Sequence, residues 1–197
     1  MEQAEAESRP RRRGRALEDA IHDAVIAELA EVGYGAMTLE GVASRAQTSR
    51  SVIYRRWGSL QELVVETIDR RVPMPEQSPD TGSVRTDLIT VLGRMAGMLG
   101  SPTGSAYMGL IGEARRSPAL HETVFQRILK PRWRGIEEVI ARGVERGELR
   151  PGAASPFAAL SGPALVFLSC SIHGLTLSSR DIADIVDQVV LPALGPP

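Results

Sequence analysis

The stretch TSRSVIYRRW, residues 48–57, decides how the rest of the chain is read. It sets Thr48, Ser49 and Ser51 beside Arg50, Arg55 and Arg56, adds Tyr54 and Trp57, and contains no acid. Such a segment is too polar for a buried helix and too cationic for an ordinary solvated face. As a short helix from Arg50 to Trp57, capped by Ser49, it has two faces. Arg50, Ser51, Tyr54 and Arg55 share one of them through spacings of three and four. Val52, Ile53 and Trp57 turn to the other, towards a small core.

Upstream, Thr38 is placed to cap a helix from Leu39 to Ala46. The residues between the two helices, RAQTS, have the length of a helix-turn-helix turn. In that motif the second helix enters the DNA major groove and the first braces it against the backbone. Further upstream, Leu17, Ile21, Ala24, Val25, Leu29 and Val32 form the stripe of an amphipathic helix over 15–32. Gly33 and Gly35 end it. Downstream, Ser59 and Glu62 have capping-box spacing and open a fourth helix over 60–72.

Residues 34–64, YGAMTLEGVASRAQTSRSVIYRRWGSLQELV, resemble the DNA-binding region of TetR-family transcriptional regulators. The shared features are the Gly-Tyr that ends helix one, the capping Thr, Val-Ala followed by Arg-Ala, the capping Ser, and Ile-Tyr before an aromatic. The resemblance spans about residues 15–66, and RGELR at 146–150 with the late helices adds a weaker one to a ligand-binding domain of the family. It implies a DNA surface of Ser49, Arg50, Ser51, Tyr54 and Arg55, with Thr38 and Arg56 near phosphates. Two positions depart from the family pattern. The turn glycine is Gln47, whose Cβ opposes a left-handed turn. The lysine that often opens helix four is Leu60, which removes one expected phosphate contact.

The arginines at 9, 11, 12, 13 and 15 form a basic arm before helix one, with Arg12 and Arg13 expected on DNA. The net charge of the 197 residues is −1, so attraction to a polyanion must be local. Lys130 is the only lysine and Cys170 the only cysteine, which excludes an internal disulfide. No apolar run approaches about 18 residues and no hydrophobic segment follows the arginines, so the reading is cytoplasmic with no membrane partner.

The linker at 72–83 carries three prolines. Helical stripes follow over 82–99, 104–116, 118–146, 154–174 and 179–193, with Pro131 expected to kink or break the third. The expected fold is all-α, with a basic arm (1–14), a three-helix helix-turn-helix DNA-binding domain (15–58) and a connecting helix (59–72). A helical ligand-binding and dimerisation domain (80–197) completes it.

Periodicity alone favours ordinary core for the Met and aromatic residues of the second half. The resemblance implies instead a small-molecule cavity, lined by Met95, Leu99, Tyr107, Leu110, Phe125, Leu129, Trp133 and Phe167. Tyr107, Trp133 and Glu113 would supply its polar groups. Leu165, Leu168, Ile172, Ile185, Val186 and Val189 carry apolar character beyond one core stripe, which suits a homodimer. Cys170 and His173 stand three residues apart, but a metal site needs more ligands and His22 and His121 are isolated, so neither metal nor cofactor is expected. No nucleophile triad, carboxylate pair or phosphate loop supports an enzyme.

The functional expectation is a repressor that leaves a palindromic operator when a small apolar effector binds. The alternatives are a constitutive DNA binder whose second domain only dimerises, and a helical ligand-binding protein.

Overall fold

The structure, a computed structural model, describes residues 14–72, 77–153 and 155–195. Among these residues there is no strand. The helices are α1 (Arg15–Glu31), α2 (Leu39–Arg45), α3 (Arg50–Tyr54), α4 (Leu60–Arg71), α5 (Val84–Leu99) and α6 (Pro102–Ala114). They continue with α7 (Pro118–Val124), α8 (Lys130–Glu145), α9 (Pro156–Phe167), α10 (Ser179–Ile185) and α11 (Leu191–Leu194). None of them is long and apolar enough to cross a membrane. Residues 1–13 of the basic arm, Arg12 and Arg13 included, lie outside the described residues, and Arg15 is the first residue of α1.

Local chemistry explains most helix starts. Thr38 Oγ1 accepts the Gly41 amide at 3.0 Å, and Ser59 Oγ accepts the Glu62 amide at 3.0 Å. The second half of the Ser59 box differs from the expectation. Glu62 accepts the amide of Gly58 at 2.9 Å, one residue further back than the cap itself. A reciprocal box occurs instead at Ser178 and Asp181. Pro102, Pro118 and Pro156 each sit in the first turn of a helix, where a missing amide hydrogen removes no helical bond.

Pro131 does not break its helix. A π turn over Phe125–Leu129 joins α7 to α8, and the Lys130 amide bonds to Phe125 O. The wider turn shifts the hydrogen-bond register just before the proline. The same device recurs where a π turn at Val186–Val190 precedes Pro192. A third π turn, Leu168–Ile172, extends α9.

One apolar core runs through the chain. Ile21, Val25, Val42, Ile53, Trp57 and Leu63 fill its N-terminal part, and Leu88, Leu110, Ile128, Val139, Val166 and Val190 its C-terminal part. α1 packs on α2, α4 and α6, so it touches both halves. α5, α8 and α9 pack together, with Gly162 allowing α9 close to Leu92 and Val190. A Cβ there would stand 2.8 Å from Leu92 and 2.9 Å from Val190.

Val186 is fully buried in this core. It therefore supports the protomer and offers nothing to a partner, contrary to the expectation for it. Leu168, Ile172 and Val189 are exposed, and Leu165 and Ile185 are half-buried.

Candidate nucleic-acid interface and cavity

α3 is shorter than its sequence suggests. It closes at Tyr54, and Arg55 and Arg56 form a turn that carries Trp57 into the core at 1% exposure. Thr38, Ser49, Arg50, Ser51, Tyr54, Arg55 and Arg56 are all exposed. Ser49 precedes α3 but its hydroxyl makes no cap; it lies 2.9 Å from Ser51 Oγ. Arg50 donates to Tyr54 Oη at 3.0 Å, stacks over that ring and pairs with Glu40 of α2. The Tyr54 bond and the Glu40 charge push its pKa above the ordinary guanidinium value. Arg56 pairs with Glu18 at 2.6 Å and lies over Trp57, so it braces α1. Leu60, at the opening of α4, packs against the core.

Gln47 has φ +54°, in the left-handed region. That conformation costs a residue with a Cβ about 1–2 kcal/mol. Gln47→Gly removes the cost but enlarges the freedom of the unfolded chain, worth about 0.4–1 kcal/mol in the other direction. The expected net gain is about 0.5–1 kcal/mol in urea unfolding. Equal or lower stability of the glycine variant would show that the turn stores no strain.

The reading helices are tied to α4 through α1. Arg45 pairs with Glu28 and Glu31, joining α2 to α1. Arg70 pairs with Asp19 at 3.0 Å, and Arg71 bonds to Asp19 O and Asp23, joining α4 to α1. Buried between them, Thr67 donates to Leu63 O at 2.7 Å, which leaves its oxygen to accept from His22 Nδ1 at 2.7 Å. Burial lowers the His22 pKa, and Arg70 lowers it further. The edge of the His22 ring meets the Trp57 ring at 5.6 Å. Sequence reading set His22 aside as isolated because both of its partners are distant along the chain.

A cavity of about 370 Å³ opens where α4 ends. Its apolar wall comes from Val91, Met95 and Met98 of α5, Leu129 before α8, and Trp133 and Ile136 of α8. Tyr107 closes one side, and Arg71, Arg94 and Arg132 add charge. Four of the expected lining residues meet here: Met95, Tyr107, Leu129 and Trp133. The other four do not. Leu99 and Leu110 are buried in the core, Phe125 stacks between His121 and Trp133, and Phe167 is half-buried outside the lining. Glu113 sits away from the cavity, against Gly35 and Arg116.

The arginines are the part that sequence reading missed. Arg132 donates to Ile128 O at 2.6 Å and to Val72 O, and lies 6.0 Å from the Tyr107 ring. Burial lowers its pKa, and burial raises that of Tyr107. The available signal was an arginine beside Pro131 within an apolar stripe, a cation where solvent exposure is not assured.

Two family models divide the chain between them. The bacterial regulatory proteins of the tetR family match residues 21–67, and the tetracyclin repressor-like C-terminal domain matches 78–189. The chain belongs to the TetR family. It is a DNA-binding transcriptional regulator of the helix-turn-helix type, not an enzyme. It is similar to the uncharacterized HTH-type transcriptional regulator YdeS of Bacillus subtilis, 30% identical over 71% of this chain and 72% of its own. The DNA-binding transcriptional repressor TetR of Mycobacteroides abscessus is 27% identical over 69% of this chain and 72% of its own. Among solved structures of similar fold, the transcriptional regulator FadR of Bacillus subtilis in complex with stearoyl-CoA has a TM-score of 0.72 at 16% identity, covering 89% of this chain and 97% of that one.

Proposed function

We propose that the chain is a dimeric repressor that a small molecule in the α4–α5–α6–α8 cavity releases from a palindromic operator. The observation that carries this reading is the double role of α4's end. Arg71 and Val72 line the cavity, and the same Arg71 holds α1 through Asp19 and Asp23. A ligand that moves the end of α4 therefore moves α1, and α1 carries α2 through Arg45 and the α3 region through Arg56. DNA at the opposite end must resist that movement. A difference in ligand affinity of about 1–3 kcal/mol between the two positions weakens DNA binding roughly 5- to 150-fold, and DNA weakens the ligand equally. The relatives named as a repressor and as an acyl-CoA complex are in keeping with both halves of the reading. A protein that reads chromosomal DNA works in the cytoplasm.

Dimerisation rests on specificity and on exposed apolar surface. One five-residue α3 meets too few base pairs to select a site, whereas two copies on a two-fold axis read a palindrome. Ile172 is 65% exposed, and Leu168 and Val189 are also large exposed hydrophobics. Selection from random duplex DNA is expected to return half-sites about one helical turn apart, or a multiple. The double variant Leu168→Glu, Ile172→Glu is expected to sediment as a monomer and to lose that palindrome. A wild-type chain that sediments as a monomer at micromolar concentration sinks the dimer. A ligand that saturates the cavity without changing operator affinity moves the reading to a constitutive regulator whose C-terminal part only dimerises.

A further inference from the structure

We propose that the effector is an amphipathic anion, with an apolar body against Met95, Met98 and Trp133 and a single carboxylate received by Arg132, Arg71 and Arg94. The proposal rests on the effector-cavity reading above and gives that ligand its chemistry.

The lining holds three arginines and, among the described residues, no aspartate, glutamate or histidine. An uncharged apolar ligand would bring no counter-charge to the arginines that lack one. The three arginines are held in different ways. Arg71 is already paired with Asp23 outside the cavity. Arg94 is exposed at the rim, and among the described residues no carboxylate lies within ion-pair distance of it. Arg132 is half-buried, and its two contacts are carbonyl oxygens, Ile128 O and Val72 O. Asp69 acts on it only from beyond ion-pair distance and pairs with Arg127.

A half-buried guanidinium whose partners are two carbonyls and the face of the Tyr107 ring carries a charge with no counter-ion, and an anion that joins it offsets part of its desolvation. The planar fork matches a carboxylate in two parallel bonds. Most of the rest of the wall is methionine, valine, isoleucine, leucine, proline and tryptophan, which suits a hydrocarbon body, and the hydroxyls of Ser78, Ser101, Thr103 and Tyr107 add neutral polar groups but no counter-charge. The same placement links binding to release. A carboxylate that draws the Arg132 guanidinium towards itself competes with Val72 O, the carbonyl at the end of α4.

The test compares three probes with the same body, octanoate, 1-octanol and octylamine, by calorimetric titration into the full chain. Octanoate is expected to bind at least about tenfold more tightly than either of the others, since charge-assisted bonds are about twice as strong as neutral ones. Arg132→Met is expected to close the gap between octanoate and octanol. Because Arg132 also holds α4, Arg94→Met serves as an independent variant at the exposed rim and is expected to narrow the same gap severalfold. Equal binding of octanoate and octanol, or a gap that neither variant narrows, overturns the anionic class and leaves an apolar-effector cavity standing. Tighter binding of octylamine overturns it in the same way. No binding of any probe overturns both the class and the cavity reading on which it rests.

Discussion

Trp57→Ala is expected to cost about 3–5 kcal/mol of folding stability and to abolish operator binding. Trp57 is 1% exposed and follows a helix of only five residues. A helix that short has no stability of its own in water, so its position depends on packing. Trp57 supplies that packing from several sides. Its ring meets the edge of His22 on α1 and carries the Arg56 guanidinium, and Ile53 is buried in the same core. Alanine would leave a cavity where α1, α3 and α4 converge, and a core this small has little to refill it with. The loss should be confined to the N-terminal half. Trp133, the second tryptophan, lies in the cavity and becomes the only fluorescent indole of the variant. Its emission should still report ligand binding after DNA binding has gone. Urea unfolding that shows a loss below about 1 kcal/mol would remove Trp57 from its anchoring role.

What was legible in the sequence was mostly local. Thr38 and Ser59 announce their helices because a cap needs only one hydroxyl and the amide three residues on. Gln47 was legible only through the family resemblance, which has a glycine at that turn position, and its φ of +54° lies in the left-handed region. The length of α3 was not legible, because Arg55 and Arg56 are good helix formers and nothing near them in sequence shows that Trp57 is drawn out of register into the core. Periodicity marked Leu99, Leu110 and Val186 as apolar, but a stripe does not say whether its neighbour is empty space or another side chain. Leu110 and Val186 turned out fully buried against the protomer itself. The π turns before Pro131 and Pro192 shift the facing residues by one, a change no fixed helical period carries. The arginines of the cavity were hidden by the opposite assumption. An arginine reads as surface, and only the fold brings Arg71 and Arg132 to one wall from positions about sixty residues apart.

Arg50→Ala is expected to weaken operator binding by about 1–3 kcal/mol, roughly 5- to 150-fold, and to relax selectivity at one position of each half-site. The expectation rests on how the residue is placed. It stands at the start of α3, exposed, with its guanidinium steadied by the Tyr54 hydroxyl and ring and by Glu40. The first residues of a recognition helix meet base edges, and a guanidinium with a fixed plane bonds guanine through two acceptors. Glu40 sets the limit on this presentation. Its carboxylate neutralises Arg50 in the free protein and faces the same side that phosphates must approach, so part of the contact energy is spent in separating the pair. Glu40→Gln should therefore tighten binding to all sequences, while Arg50→Ala weakens the operator far more than random DNA. Arg55, exposed and beyond the helix end, should behave as a phosphate contact. Arg55→Ala is expected to reduce operator and random DNA alike and to lower the salt slope by about 0.9 for each phosphate lost. The two classes separate in one set of titrations, run on the selected palindrome and on random duplex at several salt concentrations. Equal losses on both DNAs for Arg50→Ala would make it a phosphate contact, and the reading of bases would then pass to Tyr54 and Ser51 on the same exposed face.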